Sequence, residues 1–176
     1  QHAEELVAEA AVRHGTVWGV VRCAFFLQNF DESLFAGPLA AGHVAFPAGA
    51  VEEPFVDLDD VAEVAVALMT GDVAADRVYE LTGPRLLTFR AATEAIAGAT
   101  GRQISYEQVP TASFVADLVG AGLPAEEAAG IGALFDDILD GRNAHLADGV
   151  REALGREPRD ITEYAARAAR KAAKAE

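Results

Sequence analysis

The chain has 176 residues, of which 28 are Asp or Glu and 14 are Lys or Arg, so its formal net charge at pH 7 is −14. This acidity argues against a nucleic-acid-binding surface, which needs clustered basic residues, and the single cysteine, Cys23, excludes an internal disulfide and fits a reducing cytoplasm. Apolar residues make up 51% of the chain, yet no apolar run approaches the ~20 residues of a membrane helix, which predicts a soluble globular protein.

The spacing of apolar residues predicts alternating helices and strands, followed by helices alone. In chain order we predict a helix over 2–13, a strand over 16–22, a short helix or turn over 25–35, extended pieces at 44–47 and 55–57, a helix over 61–70, a strand over 78–81, a helix over 89–100, a strand over 104–109, and helices over 112–121, 125–140, 146–154 and 161–173. Gly15 and Gly101 suit helix ends. Thr88 suits a helix start, and Asp60 with Glu63 forms a capping box.

The change of pattern near residue 110 predicts an α/β fold in two parts. Residues 1–110 would form the sheet-bearing region, and residues 111–176 a helical region on the substrate side. The strand over 16–22 is apolar on both faces, including Val17 and Trp18, which is typical of a central parallel strand. The late helices are expected to bury Phe114, Val115, Leu118, Ala128, Ile131, Leu134, Phe135 and Ile138.

Five short segments follow one another in the order of a known family. They are Glu9 with His14-Gly15, Val21-Arg22-Cys23 with the aromatic run Phe25-Phe26-Leu27-Gln28-Asn29-Phe30, Val56-Asp57-Leu58-Asp59-Asp60-Val61-Ala62, Tyr79-Glu80-Leu81-Thr82-Gly83-Pro84, and Gly155-Arg156-Glu157-Pro158-Arg159. In these segments the chain resembles the C-terminal part of the NmrA-like NAD(P)-binding proteins, an atypical branch of the short-chain dehydrogenases/reductases. The resemblance spans nearly the whole chain.

The resemblance implies the C-terminal part of a Rossmann-like parallel sheet and NADP or NAD as the cofactor. The family's glycine-rich phosphate-binding turn belongs to its N-terminal half, and none of it is present here. Gly37, Gly42 and Gly49 have the wrong spacing for such a turn. Since the chain starts at Gln1, inside a helical pattern, we expect a segment to precede it.

The same resemblance implies a cleft at the end of the strand over 16–22. Its predicted cofactor contacts are Cys23, Ala24 and Phe25, and its predicted substrate contacts are Asn29, Phe55 and Phe26. The helices over 112–140 would act as a lid. No catalytic residue is identified, because Glu5 stands where the superfamily's catalytic lysine would fall and a carboxylate cannot replace an ammonium group. Cys23 stands where the family usually has proline.

Several of these residues have structural alternatives. Cys23 can be a plain buried thiol, Asn29 can satisfy local backbone groups, and Phe25, Phe26 and Phe30 can belong to the core. Asp57 is expected to pair with Arg22 across the sheet ends. His43, in the loop before the acidic turn, is the histidine expected near the cleft, as a possible acid or base.

Neither the acidic residues at 57–60 nor the scattered histidines have the spacing of a metal site, so no metal is expected. Three functional hypotheses remain. The chain is the substrate-side portion of an NAD(P)-dependent oxidoreductase acting on a small carbonyl or quinone-like substrate, or a non-catalytic NAD(P)-sensing regulatory protein, or an inactive fragment that needs its N-terminal half. Expected partners are a small-molecule substrate and either a second copy or another chain covering an open sheet edge, with neither nucleic acid nor membrane.

Overall fold

The computed structural model describes residues 2–172, so Gln1 and the last residue of the predicted 161–173 helix lie outside the described part. The helices are α1 (His2–His14), α2 (Asn29–Glu32), α3 (Ala36–Ala41), α4 (Leu58–Thr70), α5 (Phe89–Thr100), α6 (Thr111–Gly120), α7 (Ala125–Ile138), α8 (Gly149–Leu154) and α9 (Ile161–Ala172). The strands are β1 (Gly19–Cys23), β2 (His43–Phe46), β3 (Glu52–Glu53), β4 (Arg77–Leu81), β5 (Leu87–Thr88) and β6 (Ser105–Gln108). The predicted α/β class with a helical end is confirmed.

The strands pair two by two. β1 and β4 run parallel in a register that sets Cys23 opposite Leu81, and β2 and β6 are also parallel. β3 and β5 form a short antiparallel pair. Because β1 and β4 are parallel, their carboxyl ends meet at one edge, where open α/β sheets bind ligands.

β1 is shorter than the sequence predicts. It begins at Gly19, and Val17 is 76% exposed, so the prediction of a buried apolar residue there is wrong. The prediction assumed strands on both sides. Among residues 2–172, however, β4 is the one strand that pairs with β1, and residues 16–18 lie outside that ladder.

Edge-to-face and tilted aromatic contacts build the larger core. The ring centroids of Phe35 and Phe46 are 4.7 Å apart, and those of Phe55 and Phe89 are 5.0 Å apart. Phe114 of α6 and Phe135 of α7 also contact Phe46. Helices α6, α7 and α9 therefore share one hydrophobic core with the sheet-bearing region, and the division into two parts stays a prediction.

A second, smaller core lies between the β1–β4 pair and helices α4 and α8. Its buried side chains are Val56, Val64, Tyr79, Leu81 and Val150. Glycine at position 149 permits α8 to approach β4, because a Cβ there would lie 2.2 Å from the carbonyl oxygen of Glu80. Gly83, in the turn after β4, has the same role, since its Cβ would lie 2.1 Å from the carbonyl oxygen of Phe55.

The capping predictions have mixed outcomes. The Thr88 hydroxyl accepts the Ala91 backbone N–H at the start of α5, as expected. At α4, however, Asp57 is the cap, because its carboxylate accepts the Asp59 N–H at 3.0 Å. Asp60, predicted to be the cap, lies buried in the first turn and accepts hydrogen bonds from Arg156 and Arg159. These contacts join α4 to the segment between α8 and α9.

The late helices also differ in one detail from the expected burial. Leu134 is 53% exposed and not buried as predicted, while Phe135 beside it is in the core. The Leu134 side chain on α7 thus faces solvent. No helix within residues 2–172 combines the length and apolar character needed to cross a membrane.

Candidate functional site

A cavity of about 360 Å³ opens at the carboxyl ends of β1 and β4. Its walls are formed by Arg22, Cys23, Ala24, Phe25, Phe26, Asn29, Glu53, Pro54, Glu80, Thr82, Ile138, Leu139, Asn143 and His145. This volume falls within the range of small-molecule sites. The walls combine aromatic and aliphatic side chains with a few ionisable groups.

Backbone hydrogen bonds fix the segment that follows β1. The Ala24 N–H donates to the Leu81 carbonyl at 3.0 Å, which continues the pairing with β4. The Val56 N–H donates to the Phe25 carbonyl, and the Leu27 N–H donates to the Val56 carbonyl, each at 2.9 Å. Residues 24–27 are therefore held between β4 and the segment before α4, so they form a rigid cavity wall.

Five of the six predicted contact residues line this cavity: Cys23, Ala24, Phe25, Phe26 and Asn29. Phe55 does not. Its side chain is 3% exposed, and its ring packs edge-on against Phe25 and Phe89 in the larger core. Phe55 is thus a core residue, while Glu53 and Pro54 of the same segment line the cavity. Which of the lining residues contact cofactor or substrate stays a prediction.

Arg22 does not pair with Asp57, so that prediction is wrong. The Arg22 guanidinium binds the Glu4 carboxylate of α1 at 2.7 Å and the Glu80 carboxylate at 3.4 Å. Asp57 is fully buried at the start of α4, where Arg167 of α9 and Gln28 donate to it. The two groups miss each other because Arg22 turns toward α1 and β4, whereas Asp57 is covered by α9.

The histidine at the cavity is His145 and not His43. His43 lies on β2, where its Nδ1 is 2.9 Å from the Ser105 hydroxyl, and it lines no part of the cavity. His145 lies between α7 and α8, and its Nε2 is 2.6 Å from Glu80 Oε1. The Thr82 hydroxyl holds this segment through both the N–H and the carbonyl of Ala147. No local pattern around His145 indicates this placement.

Glu53 was not singled out from the sequence. Its side chain is 2% exposed, and its Oε1 has no hydrogen-bond partner among the described residues 2–172. Burial raises the pKa of this carboxyl to about 7; the charge of Asp140 also raises it, and His145 opposes the shift. Successive side chains of a strand point to opposite faces, and on β3 Glu52 faces solvent while Glu53 faces the interior. A strand predicted at 52–53 would therefore have indicated that one of the two glutamates is buried.

The Cys23 thiol is not set up as a nucleophile. Burial raises its pKa, so it is a neutral thiol at neutral pH, and the neighbouring Arg22 is engaged by carboxylates. Cys23 is thus a small apolar wall residue. Within the part of the chain that the structure describes, no group of three His, Cys, Asp or Glu side chains is arranged to hold a metal ion.

The cavity can take one end of a dinucleotide, but not the whole molecule. Its size suits a ring system beside a small substrate, with Phe25, Ile138 and Leu139 as apolar surfaces. The sequence supplies no glycine-rich turn for a diphosphate. A flat ring, such as a nicotinamide, would be held between these apolar surfaces.

Known proteins similar to this chain are oxidoreductases. An uncharacterized oxidoreductase, YesF, from Bacillus subtilis is 32% identical over 157 residues, which are 89% of this chain and 55% of that protein. An NAD(P)H azoreductase from Xenophilus azovorans is 27% identical over 86% of this chain and 52% of its own length. The chain spans about half the length of the curated relatives that it matches. No protein-family model matches it.

Solved structures place the fold among NAD(P)-binding reductases. Triphenylmethane reductase of Citrobacter sp., crystallised with NADP(H), has a TM-score of 0.74 at 20% identity and covers 93% of this chain, which in turn covers 57% of that structure. The NADPH-dependent quinone oxidoreductase of Escherichia coli, crystallised with NADPH, has a TM-score of 0.75 at 20% identity, with 91% and 56% coverage. The predicted Rossmann-like architecture is confirmed.

Proposed function

We propose that the chain is the substrate-side portion of an NmrA-like NAD(P)-dependent oxidoreductase that acts on a small carbonyl or quinone-like substrate. The observation that carries the proposal is the cavity at the shared carboxyl ends of β1 and β4, within a fold whose neighbours include NADPH-bound reductases. We place the cofactor, NADP or NAD, against Cys23, Ala24 and Phe25. Substrate would contact Phe26 and Asn29.

In this proposal the bound nicotinamide supplies or accepts a hydride, and the chain's own residues bind and orient the reactants. The rigid wall at residues 24–27 fixes the distance between the ring and the substrate. Phe25 and Phe26 on one side, with Ile138 and Leu139 at the end of α7 on the other, exclude water from the reacting atoms. The end of α7 is the part of the predicted lid that reaches the cavity.

A second candidate is a non-catalytic NAD(P)-sensing protein. It is favoured by α1, which brings the Glu4 carboxylate to Arg22 and leaves Glu5 turned outward beside His2, where the superfamily would have its catalytic lysine. An inactive fragment that needs a preceding segment is the third. In all three the protein works in the cytoplasm with a small-molecule ligand, and a second copy or another segment covers the open edge of β1.

Cofactor titration with turnover separates these candidates. NADPH and NADH are titrated by nicotinamide fluorescence into the 176-residue chain and into the full-length gene product, and each is then offered a panel of quinones and carbonyls. Binding with substrate reduction by the gene product supports the oxidoreductase. Binding without turnover supports the sensor. Failure of the gene product to bind either nucleotide contradicts both, and tight binding by the 176-residue chain alone contradicts the need for a preceding segment.

A further inference from the structure

We propose that the cavity recognises a small organic cation, a protonated amine or iminium on an apolar body, through the Glu53 carboxylate. The inference rests on the proposed function only in taking the cavity as the substrate site. It adds a substrate class, because it requires a positively charged nitrogen next to the group that reacts.

The unpaired oxygen of Glu53 is the first support. Oε1 is buried at the cavity wall and accepts no hydrogen bond, which is costly for a carboxyl group unless a ligand supplies the donor. An N–H of an ammonium or iminium ion gives both a hydrogen bond and an opposite charge. A neutral carbonyl oxygen can accept a hydrogen bond from Glu53 only when the Glu53 carboxyl group is protonated. The ionised Glu53 carboxylate would then have no hydrogen-bond donor.

The remaining charges around the cavity are already paired, and this is the second support. Arg22 binds Glu4 and Glu80, and Glu80 also holds His145. Asp140, whose charge acts on Glu53, binds Arg142 at 2.9 Å. Of the acidic and basic side chains that line the cavity, Glu53 is thus the one without an ion-pair partner among residues 2–172.

The walls of the same cavity include aromatic rings, and this is the third support. Phe25 and Phe26 line the same cavity. Phenylalanine rings attract cations through their negative faces and also bury apolar groups. A ligand with one cationic nitrogen and a ring or short alkyl body therefore matches both parts of the wall.

The rival role for Glu53 is proton donor to a neutral substrate, and pH separates the two. A cation requires the ionised carboxylate, so its affinity rises as the pH rises through the Glu53 pKa of about 7. A proton donor requires the neutral acid, so its contribution falls over the same range. The charged or titratable groups around Glu53 are Asp140, Glu80, Arg22, His145 and the Cys23 thiol.

The test is calorimetry of two probes of one shape on the full-length gene product, with and without saturating NADPH. Benzylamine is the cation and benzyl alcohol is the neutral match. We expect benzylamine to bind at least about tenfold more tightly than benzyl alcohol at pH 8, as for one charge-assisted hydrogen bond. The preference should shrink about tenfold between pH 8 and pH 6, since the ionised fraction of an acid of pKa about 7 falls by that factor.

The variants are Glu53→Gln and, as the matched control, Glu52→Gln on the solvent face of the same strand. Glu53→Gln should abolish the preference and Glu52→Gln should retain it. Equal binding of the two probes, no binding of benzylamine, or a preference that survives Glu53→Gln overturns the inference. NADPH binding in the same preparations tests the proposed function separately. If NADPH does not bind but benzylamine is still preferred, only the proposed function is contradicted. If NADPH binds but benzylamine is not preferred, only the cation site is contradicted.

Discussion

At the scale of single residues, Glu53 is a carboxyl group that folding removes from water without an internal partner for one of its oxygens. Such a group favours its neutral form in the folded state, which is why burial raises its pKa to about 7. The unfolded chain would ionise it near its ordinary pKa of 4.5. The folded protein therefore holds one more proton than the unfolded chain between these two values.

This difference predicts how Glu53→Gln changes stability with pH. In the wild type the contribution of Glu53 is fully present below about pH 4.5 and is lost as the pH rises through about 7. Relative to the wild type, Glu53→Gln should therefore gain up to about 3 kcal/mol of unfolding free energy between pH 4.5 and pH 8. Urea unfolding at both pH values measures it. Glu52→Gln, on the exposed side, should show no such trend, and a flat Glu53→Gln difference would contradict the burial argument.

At the residue scale, the family resemblance predicts the cleft residues at the end of β1 and just after it. The predicted contacts Cys23, Ala24, Phe25, Phe26 and Asn29 all line the cavity. His145, which packs against Glu80 from 65 residues away in the chain, is a contact that no local spacing encodes.

At the scale of elements, the Asp160 carboxylate before α9 both caps that helix and forms an ion pair. Asp160 accepts the Thr162 N–H at the start of the helix, and Arg85 donates to both of its oxygens at 2.7 and 3.0 Å. The Arg85 guanidinium lowers the Asp160 pKa to about 2. This bidentate pair fixes the first turn of α9 against the segment after β4.

Asp160→Asn keeps the capping oxygen and removes the ion pair, so we expect a loss of about 1–2 kcal/mol of unfolding free energy at pH 7, less than the full pKa shift because water screens the pair. Because the Asp160 pKa is lower in the folded protein than in the unfolded chain, where it is near 4, the ion pair stabilises the folded state fully above about pH 4. This stabilisation is lost as the pH falls through about 2. The gap between variant and wild type should narrow from pH 5 to pH 3 in denaturant titrations. Asp148→Asn, which breaks an exposed pair with Arg151, is the control and should cost under about 0.5 kcal/mol. An equal loss in both variants would contradict this role.

Capping chemistry predicts the start of α5 at Thr88 correctly, but it misses the start of α4. The sequence predicts Asp60 as the cap of that helix, whereas Asp57 is the cap. Asp60 is removed from that role by Arg156 and Arg159, which lie 96 and 99 residues later and neutralise it inside the protein. Long-range charge pairing thus decides what local propensity leaves open.

At the scale of the whole molecule, one flank of the sheet remains uncovered within residues 2–172. β1 pairs with β4 on one edge, and Val17 before it and Val12 at the end of α1 are both largely exposed. The chain spans about half the length of its relatives. We propose that a second copy or another chain covers this edge of β1.

The class of fold followed from alternating periodicity, and the position of the cavity followed from where parallel strands end. The shared core of α6 and α7 with the sheet did not follow, since Phe46 contacts Phe114 and Phe135 across most of the chain length. Aromatic packing of this kind depends on three-dimensional shape, which helix and strand periods do not specify.

The central claim is that a nicotinamide ring sits against Cys23, and the rate of alkylation of that thiol tests it most directly. In the full-length gene product, iodoacetamide modification of the peptide containing Cys23 is followed by mass spectrometry at increasing NADPH. The matched ligand is 2′-phospho-ADP-ribose, which lacks only the nicotinamide. We predict that NADPH slows modification of Cys23 saturably, at the concentration at which nicotinamide fluorescence reports binding, and that saturating 2′-phospho-ADP-ribose does so far less. Bound NADPH with an unchanged rate at Cys23 would contradict the account.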